Sequence, residues 1–235
     1  MEQNVSLLII GNEVLTGKIS DQNGPYIAKR LWEVGSKLSR IVVVPDIVNI
    51  IANEVKDLSM RFDSVITSGG IGPTHDDVTM EGVAKAFDTP LVKDKTFLDL
   101  LGAQNLEGKL RMASIPAGAR LISTNDGTFP LVCMNNVYML PGVPILFRKK
   151  FDFIVSLFVS SPFYLASVTF KASESEISKK IEFIQKAYPE VQIGSYPKLE
   201  ANTFIVVVTI EGKNKFLVDK IYEEIRLAFD SSFFI

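Results

Sequence analysis

The sequence predicts an α/β protein, with a mostly parallel sheet covered by helices on both faces and a small α+β subdomain after it. Three observations carry this. Short, β-branched apolar runs at Val5 to Ile10, Ile41 to Val44 and Phe62 to Thr67 alternate with longer stretches whose apolar residues recur at i, i+3, i+4 and i+7. The first run lacks a polar alternation, as a strand buried on both faces does, and strand–helix alternation of this kind is how βαβ units read. Past Ser160-Ser161-Pro162 the pattern changes to strand, helix, strand, strand, helix. The expected domains are 1–160 and 163–235.

Val5 to Ile10 is the first strand. It leads into Gly11-Asn12-Glu13-Val14-Leu15-Thr16-Gly17, which sets Glu13 just past a carboxyl strand end, where open α/β sheets place their ligands. In Asp21-Gln22-Asn23-Gly24-Pro25, Asn23 is the expected cap of the first long helix and Pro25 stands in its first turn. Ile27, Ala28, Leu31 and Val34 form its stripe and Gly35 stops it. Ile41 to Asp46 is the second strand, followed by a helix that turns Ile47, Ile50, Ile51, Val55 and Leu58 inward.

After the Phe62 to Thr67 strand comes Ser68-Gly69-Gly70-Ile71-Gly72-Pro73-Thr74-His75-Asp76-Asp77-Val78-Thr79-Met80-Glu81, and then a helix with Met80, Val83, Ala84 and Phe87 on one face. Gly69, Gly70 and Gly72 remove side chains where backbone N–H groups can approach a ligand, and the helix start adds about half a positive charge, a setting that favours phosphate. Thr74 and Asp77 have capping-box spacing and place the helix start there. Asp76, Asp77 and Glu81 then crowd its first turn, with Asp77 and Glu81 four apart on one face. Acid beside phosphate is repulsive unless a divalent cation lies between them, so the combination points to metal-assisted phosphate chemistry. The spacing matches neither the P-loop nor GxGxxG.

Lys93 to Arg111 is expected to be helical, and Ala113 to Pro130 a loop-rich excursion carrying Asn125-Asp126-Gly127-Thr128. Leu131 to Met134 and Val137 to Leu140, separated by Asn135-Asn136, predict a hairpin. Pro141-Gly142-Val143-Pro144 turns into a helix running to about Val159, with Arg148, Lys149 and Lys150 on a solvated face. Trp32 and Phe87 are assigned to the core. Beyond the boundary come a strand at Tyr164 to Phe170, a helix opened by the capping box Ser173-Glu174-Ser175-Glu176, strands at Val191 to Ser195 and Thr203 to Ile210, and a helix with Leu217, Ile221, Ile225 and Ala228 inward.

The 235 residues are 47% hydrophobic and 22% charged, enough for one substantial core and a smaller second unit. Lys and Arg number 25 against 27 Asp and Glu, a net charge of −2 with no basic stripe, which argues against a nucleic-acid partner. The single cysteine, Cys133, excludes an intrachain disulfide framework and a cysteine zinc site. Val5 to Ile10 is too short for a signal peptide, and Phe153 to Val159 is far below the roughly 20 residues of a membrane span, so a soluble cytoplasmic protein without a membrane partner is expected.

Together, Gly11 to Gly17 with Glu13, Asp21-Gln22-Asn23, Gly69 to Thr79, and Leu140-Pro141-Gly142-Val143-Pro144 resemble the molybdopterin-binding-like superfamily. The likeness is to the branch holding the N-terminal domains of eukaryotic FAD synthase and of competence/damage-inducible protein A, and Gly194-Ser195-Tyr196-Pro197 extends it past the boundary. The resemblance implies a three-layer α/β/α fold with oligomer-forming surfaces, as a dimer or trimer. It implies metal-dependent hydrolysis of the pyrophosphate in a nucleotide substrate such as FAD, to FMN and AMP, or ADP-ribose. Where the molybdenum-cofactor branch reads Arg-Asp this chain has Asp76-Asp77, so the shared acid is Asp77. Leu131 stands where the bacterial pattern has glycine. The FAD-synthesising domain is absent, so synthesis of FAD is not expected.

The candidate site follows. Gly69, Gly70, Gly72 and Thr74 would hold a phosphate, while Asp21, Asn23, Pro141 and Gly142 would shape the nucleotide pocket. Asp77, with Asp76, Glu81 or Glu13, would hold Mg²⁺, Mn²⁺ or Co²⁺, and the catalytic set would be Asp77, Asp76 and the sole histidine, His75. For His75, a packing or hydrogen-bonding role in the turn is the competing assignment. The competing function is a non-catalytic module that binds molybdopterin or a dinucleotide.

Overall fold

The computed structural model describes residues 3–101, 107–123, 129–200 and 203–235. The chain divides into two compact units, Met1–Ser160 and Ser161–Ile235. The first opens with β1 (Asn4–Ile10), α1 (Asn12–Leu15), α2 (Asn23–Glu33), β2 (Lys37–Val44), α3 (Val48–Arg61), β3 (Ser64–Ser68) and α4 (Thr79–Ala86). It continues with β4 (Leu91–Lys93), α5 (Lys95–Leu101), α6 (Glu107–Met112), β5 (Ser114–Pro116), β6 (Arg120–Ile122), β7 (Leu131–Met134), β8 (Val137–Leu140) and α7 (Pro144–Ile154).

The main sheet has the order β2-β1-β3-β8-β7-β6. β2, β1, β3 and β8 run parallel, and the β7–β8 hairpin turns the far edge antiparallel. β1 shows why three layers form. Its side chains alternate between faces, so Val5, Leu7 and Ile9 meet Ile27 and Leu31 of α2 and Phe147 and Phe151 of α7, while Leu8 and Ile10 meet Ile51, Val55 and Leu58 of α3 and Val83 of α4. The α3–α4 crossing is close: a Cβ on Gly82 would lie 2.3 Å from Ile51 Cγ2 and 2.7 Å from its Cβ.

Several local expectations give way. Ile47 and Ile50 are exposed, and the buried stripe of α3 is Ile51, Ala52, Val55 and Leu58. The span 93–111 is not one helix: Lys93 closes β4, which pairs with β5, and α5 and α6 follow as separate short helices. The 113–130 excursion includes β5 and β6, while Asn125 to Thr128 lies outside the described residues. The helix after Pro144 ends at Ile154 and tightens into a 3₁₀ turn over Val155–Phe158. Lys150 is buried, not solvated.

The second unit holds β9 (Tyr164–Phe170), α8 (Glu174–Ala187), β10 (Gln192–Glu200), β11 (Thr203–Gly212) and α9 (Lys215–Ala228). Its antiparallel sheet has the order β10-β11-β9. Ser173 and Glu176 form the expected reciprocal capping box at the start of α8. Val206, Val208 and Ile210 of β11 pack with Ile177, Ile181 and Ile184 of α8 and with Val218, Ile221 and Ile225 of α9 in a core of the unit's own. Among the described residues no helix is long and apolar enough to cross a membrane.

Candidate functional site: a cavity at the strand ends

β1, β3 and β8 end side by side at Ile10, Ser68 and Leu140, and the loops that leave them enclose a cavity of about 520 Å³. That volume suits a small organic ligand. The central wall is the glycine turn. Gly69 and Gly70 have φ of 106° and 64°, and Cβ atoms there would lie 2.3 Å from the Ile10 carbonyl oxygen and 2.3 Å from Thr79 Oγ1. Only glycine takes this path without strain. The Gly69 N–H donates to the Leu140 carbonyl at 3.1 Å, whereas those of Gly70, Ile71 and Gly72 find no acceptor among the described residues.

Thr79, which the sequence did not mark as part of the site, ties this turn to the helix behind it. Its hydroxyl donates to the Gly69 carbonyl at 2.8 Å and its N–H to the Gly70 carbonyl at 2.9 Å. α4 therefore begins at Thr79, not at the Thr74–Asp77 spacing. Thr74 and Asp77 instead close the preceding turn, the Thr74 N–H and hydroxyl both donating to Asp77 Oδ2 at 2.7 and 2.6 Å. Asp76 and Asp77 thus precede the helix, and only Glu81 stands in its first turn.

Asn23 is also differently employed. The cap of α2 comes from Asp21, whose carboxylate accepts from the N–H groups of Asn23 at 3.0 Å and Gly24 at 2.8 Å. Asn23 is buried, and its Nδ2 donates to Ser68 Oγ at 2.8 Å and to the Gly142 carbonyl at 2.9 Å, linking all three strand-end loops. Its Oδ1 is buried without a partner among the described residues.

Of the anticipated site residues, Glu13, Asp21, Asn23, Gly69, Gly70, Gly72, Asp77, Pro141 and Gly142 line the cavity. Thr74, His75, Asp76 and Glu81 do not. His75 and Asp76 are exposed, and a hydrogen bond from the Thr74 hydroxyl lowers the Asp76 pKa. Glu81 faces a smaller space of about 80 Å³ that it shares with Asp77 and Arg111. Asp46, not marked in the sequence, accepts from the Asn12 N–H at 2.8 Å, and its pKa is raised first by burial and then by the charges of Glu13 and Asp76. This neighbourhood is acidic, yet among the described residues no three Asp, Glu, His or Cys side chains gather closely enough to ligate one ion. No Lys or Arg is among the residues lining the large cavity.

The fold is an open α/β one with a cavity at the carboxyl ends of its parallel strands, the place where such sheets bind ligands. Residues 6–161 match the family described as "Probable molybdopterin binding domain", and 162–235 match "FAD synthase, middle domain". The chain belongs to the molybdopterin-binding-domain family. It is 36% identical over 216 residues to a protein of Archaeoglobus fulgidus, covering 91% of this chain and 93% of that one. It is 33% identical to a probable FAD synthase of Caenorhabditis elegans, covering 95% of this chain but 49% of the other, so it spans about half of that relative's length. The crystal structure of CinA from Thermoplasma acidophilum, a protein titled as of unknown function, aligns with a TM-score of 0.60 at 31% identity, over 67% of this chain and 100% of that one.

Proposed function

We propose that the chain acts in cofactor metabolism by metal-dependent hydrolysis of the pyrophosphate of a nucleotide such as FAD, giving FMN and AMP, or ADP-ribose. One observation carries this: a cavity of nucleotide size joins the open N–H groups of Gly70, Ile71 and Gly72 to the carboxylates of Glu13, Asp21 and Asp77, with no cationic side chain among the described residues of its lining. The N–H groups would take one phosphate, and Asn23 and the Pro141–Pro144 loop would fix the rest of the nucleotide. The oxygen donors fit Mg²⁺, Mn²⁺ or Co²⁺ held as Mg²⁺ often is, by one or two carboxylates with substrate phosphates and water, which requires no three-carboxylate cluster. Asp77 and Glu13 would be those carboxylates. When bound, the ion would neutralise phosphate charge and acidify a water. His75 and Asp76, which do not line the cavity, take no part in this scheme. The relatives named as probable FAD synthases support the choice of a flavin nucleotide.

A second reading, a module that binds molybdopterin or a dinucleotide without cleaving it, is favoured by the Asp77 oxygen already engaged by Thr74. The test is to incubate the purified chain with FAD or ADP-ribose, with each metal or with chelator, and to resolve products by chromatography. AMP formed only with metal is the expected result. Binding without turnover would replace it with the second reading.

A further inference from the structure

Lys150 is the one buried charged residue among the described residues, at 2% exposure. An ammonium removed from water is costly unless it is well partnered, so a helix position packed this deeply would ordinarily be apolar. Its Nζ donates to the Phe129 carbonyl and lies 5.1 Å from the centroid of the Phe129 ring. Phe97 packs against the same ring, with centroids 6.2 Å apart and planes at 34°. Phe129 is thus held at its backbone by a charge-assisted hydrogen bond and at its ring by a cation and a second aromatic. It is also the one aromatic side chain lining the large cavity among the described residues, with Ile71 and Met112 in the same wall.

We propose that Phe129 is the platform on which a flat heteroaromatic ring of the ligand stacks, and that Lys150 is the positioning residue that holds it. This rests on the nucleotide reading of the cavity and adds a ring subsite to it. Stacking on a fixed aromatic face tolerates different rings, because each offers a π-surface, and the Met112 thioether suits the edge of such a slot.

The test titrates the full chain with FMN, AMP and ribose 5-phosphate, followed by ligand NMR and flavin fluorescence. The proteins compared are wild type, Phe129→Leu, Phe129→Tyr and Lys150→Met. Phe129→Leu should weaken FMN or AMP about tenfold and leave ribose 5-phosphate, which carries no aromatic ring, within about twofold; the ligand that loses affinity names the aromatic ring. Phe129→Tyr should retain ring binding, and Lys150→Met should show the same ring-selective loss at about threefold. Should Phe129→Leu fail to fold, Lys150→Met carries the test. Unchanged affinities, equal loss for all three ligands, or no ring binding by wild type would overturn the platform. Ring-selective loss without pyrophosphate cleavage would strike the hydrolase reading alone, and cleavage without ring selectivity would strike the platform alone.

Discussion

Asp77 has two tasks that one substitution separates. Its Oδ2 closes the turn by accepting from Thr74, and its carboxylate faces the cavity. Asp77→Asn keeps an acceptor for Thr74 and removes the charge. We expect metal-dependent turnover to fall about a hundredfold or more while the unfolding midpoint shifts by no more than about 1 kcal/mol in stability. Unaltered turnover would remove the metal role. His75→Asn, at an exposed position of the same turn, should stay within about twofold of wild type. Asp46 makes a pH-dependent prediction. Burial and then the Glu13 and Asp76 charges raise its pKa, so the fold favours its protonated form. Its contribution is present below the ordinary carboxyl value and is lost as pH rises through the raised one. Asp46→Asn, which still accepts from Asn12, should therefore raise the melting temperature at pH 7, and that gain should vanish on acidification below the ordinary value of 3.8. A gain that persists there would refute the assignment.

Among the secondary structures, the α3–α4 crossing is the most exacting. Gly82→Ala places a methyl 2.3 Å from Ile51 Cγ2 and must push the helices apart. A loss of about 2 kcal/mol is expected in denaturant unfolding, and Ile51→Val in the same background, which keeps the Cβ and Cγ2 that the methyl meets, should not recover it. How far such elements were legible depended on where their determinants lie. The second unit was read well because β9, α8 and α9 carry strong periodicity and the Ser173 capping box is closed by neighbours in sequence. The glycine turn was legible for the same reason. The start of α4 was not, because Thr74-x-x-Asp77 satisfies a free turn as well as a helix cap, and the decisive bond runs from Thr79 back to Gly69. Asn23 was assigned to a local cap, but its partners are 45 and 119 residues away. β4, β5 and β6 have three residues each, too few for alternation to register. Lys150 reads as solvated because it closes a run of three cations, Arg148-Lys149-Lys150, of which only the first two are exposed.

The first unit encloses two apolar clusters, one on each face of its sheet, and the second encloses one of its own; among the described residues, those lining the cavity all belong to the first. A fragment of residues 161–235 should give a cooperative melt by circular dichroism, since a core this size supports domains of comparable length. A fragment of residues 1–160 should keep nucleotide affinity within about threefold of the full chain. A gradual melt of the first fragment, or loss of binding by the second, would contradict this division. Asn23, bound to Ser68 and Gly142, has a consequence for the order of assembly. The cavity floor closes only after β1, β3 and β8 have aligned, and these carry contacts of very different sequence separation. A bound nucleotide would then act as a late lock, recognising only chains that have completed the sheet and drawing them by mass action out of the pool still folding.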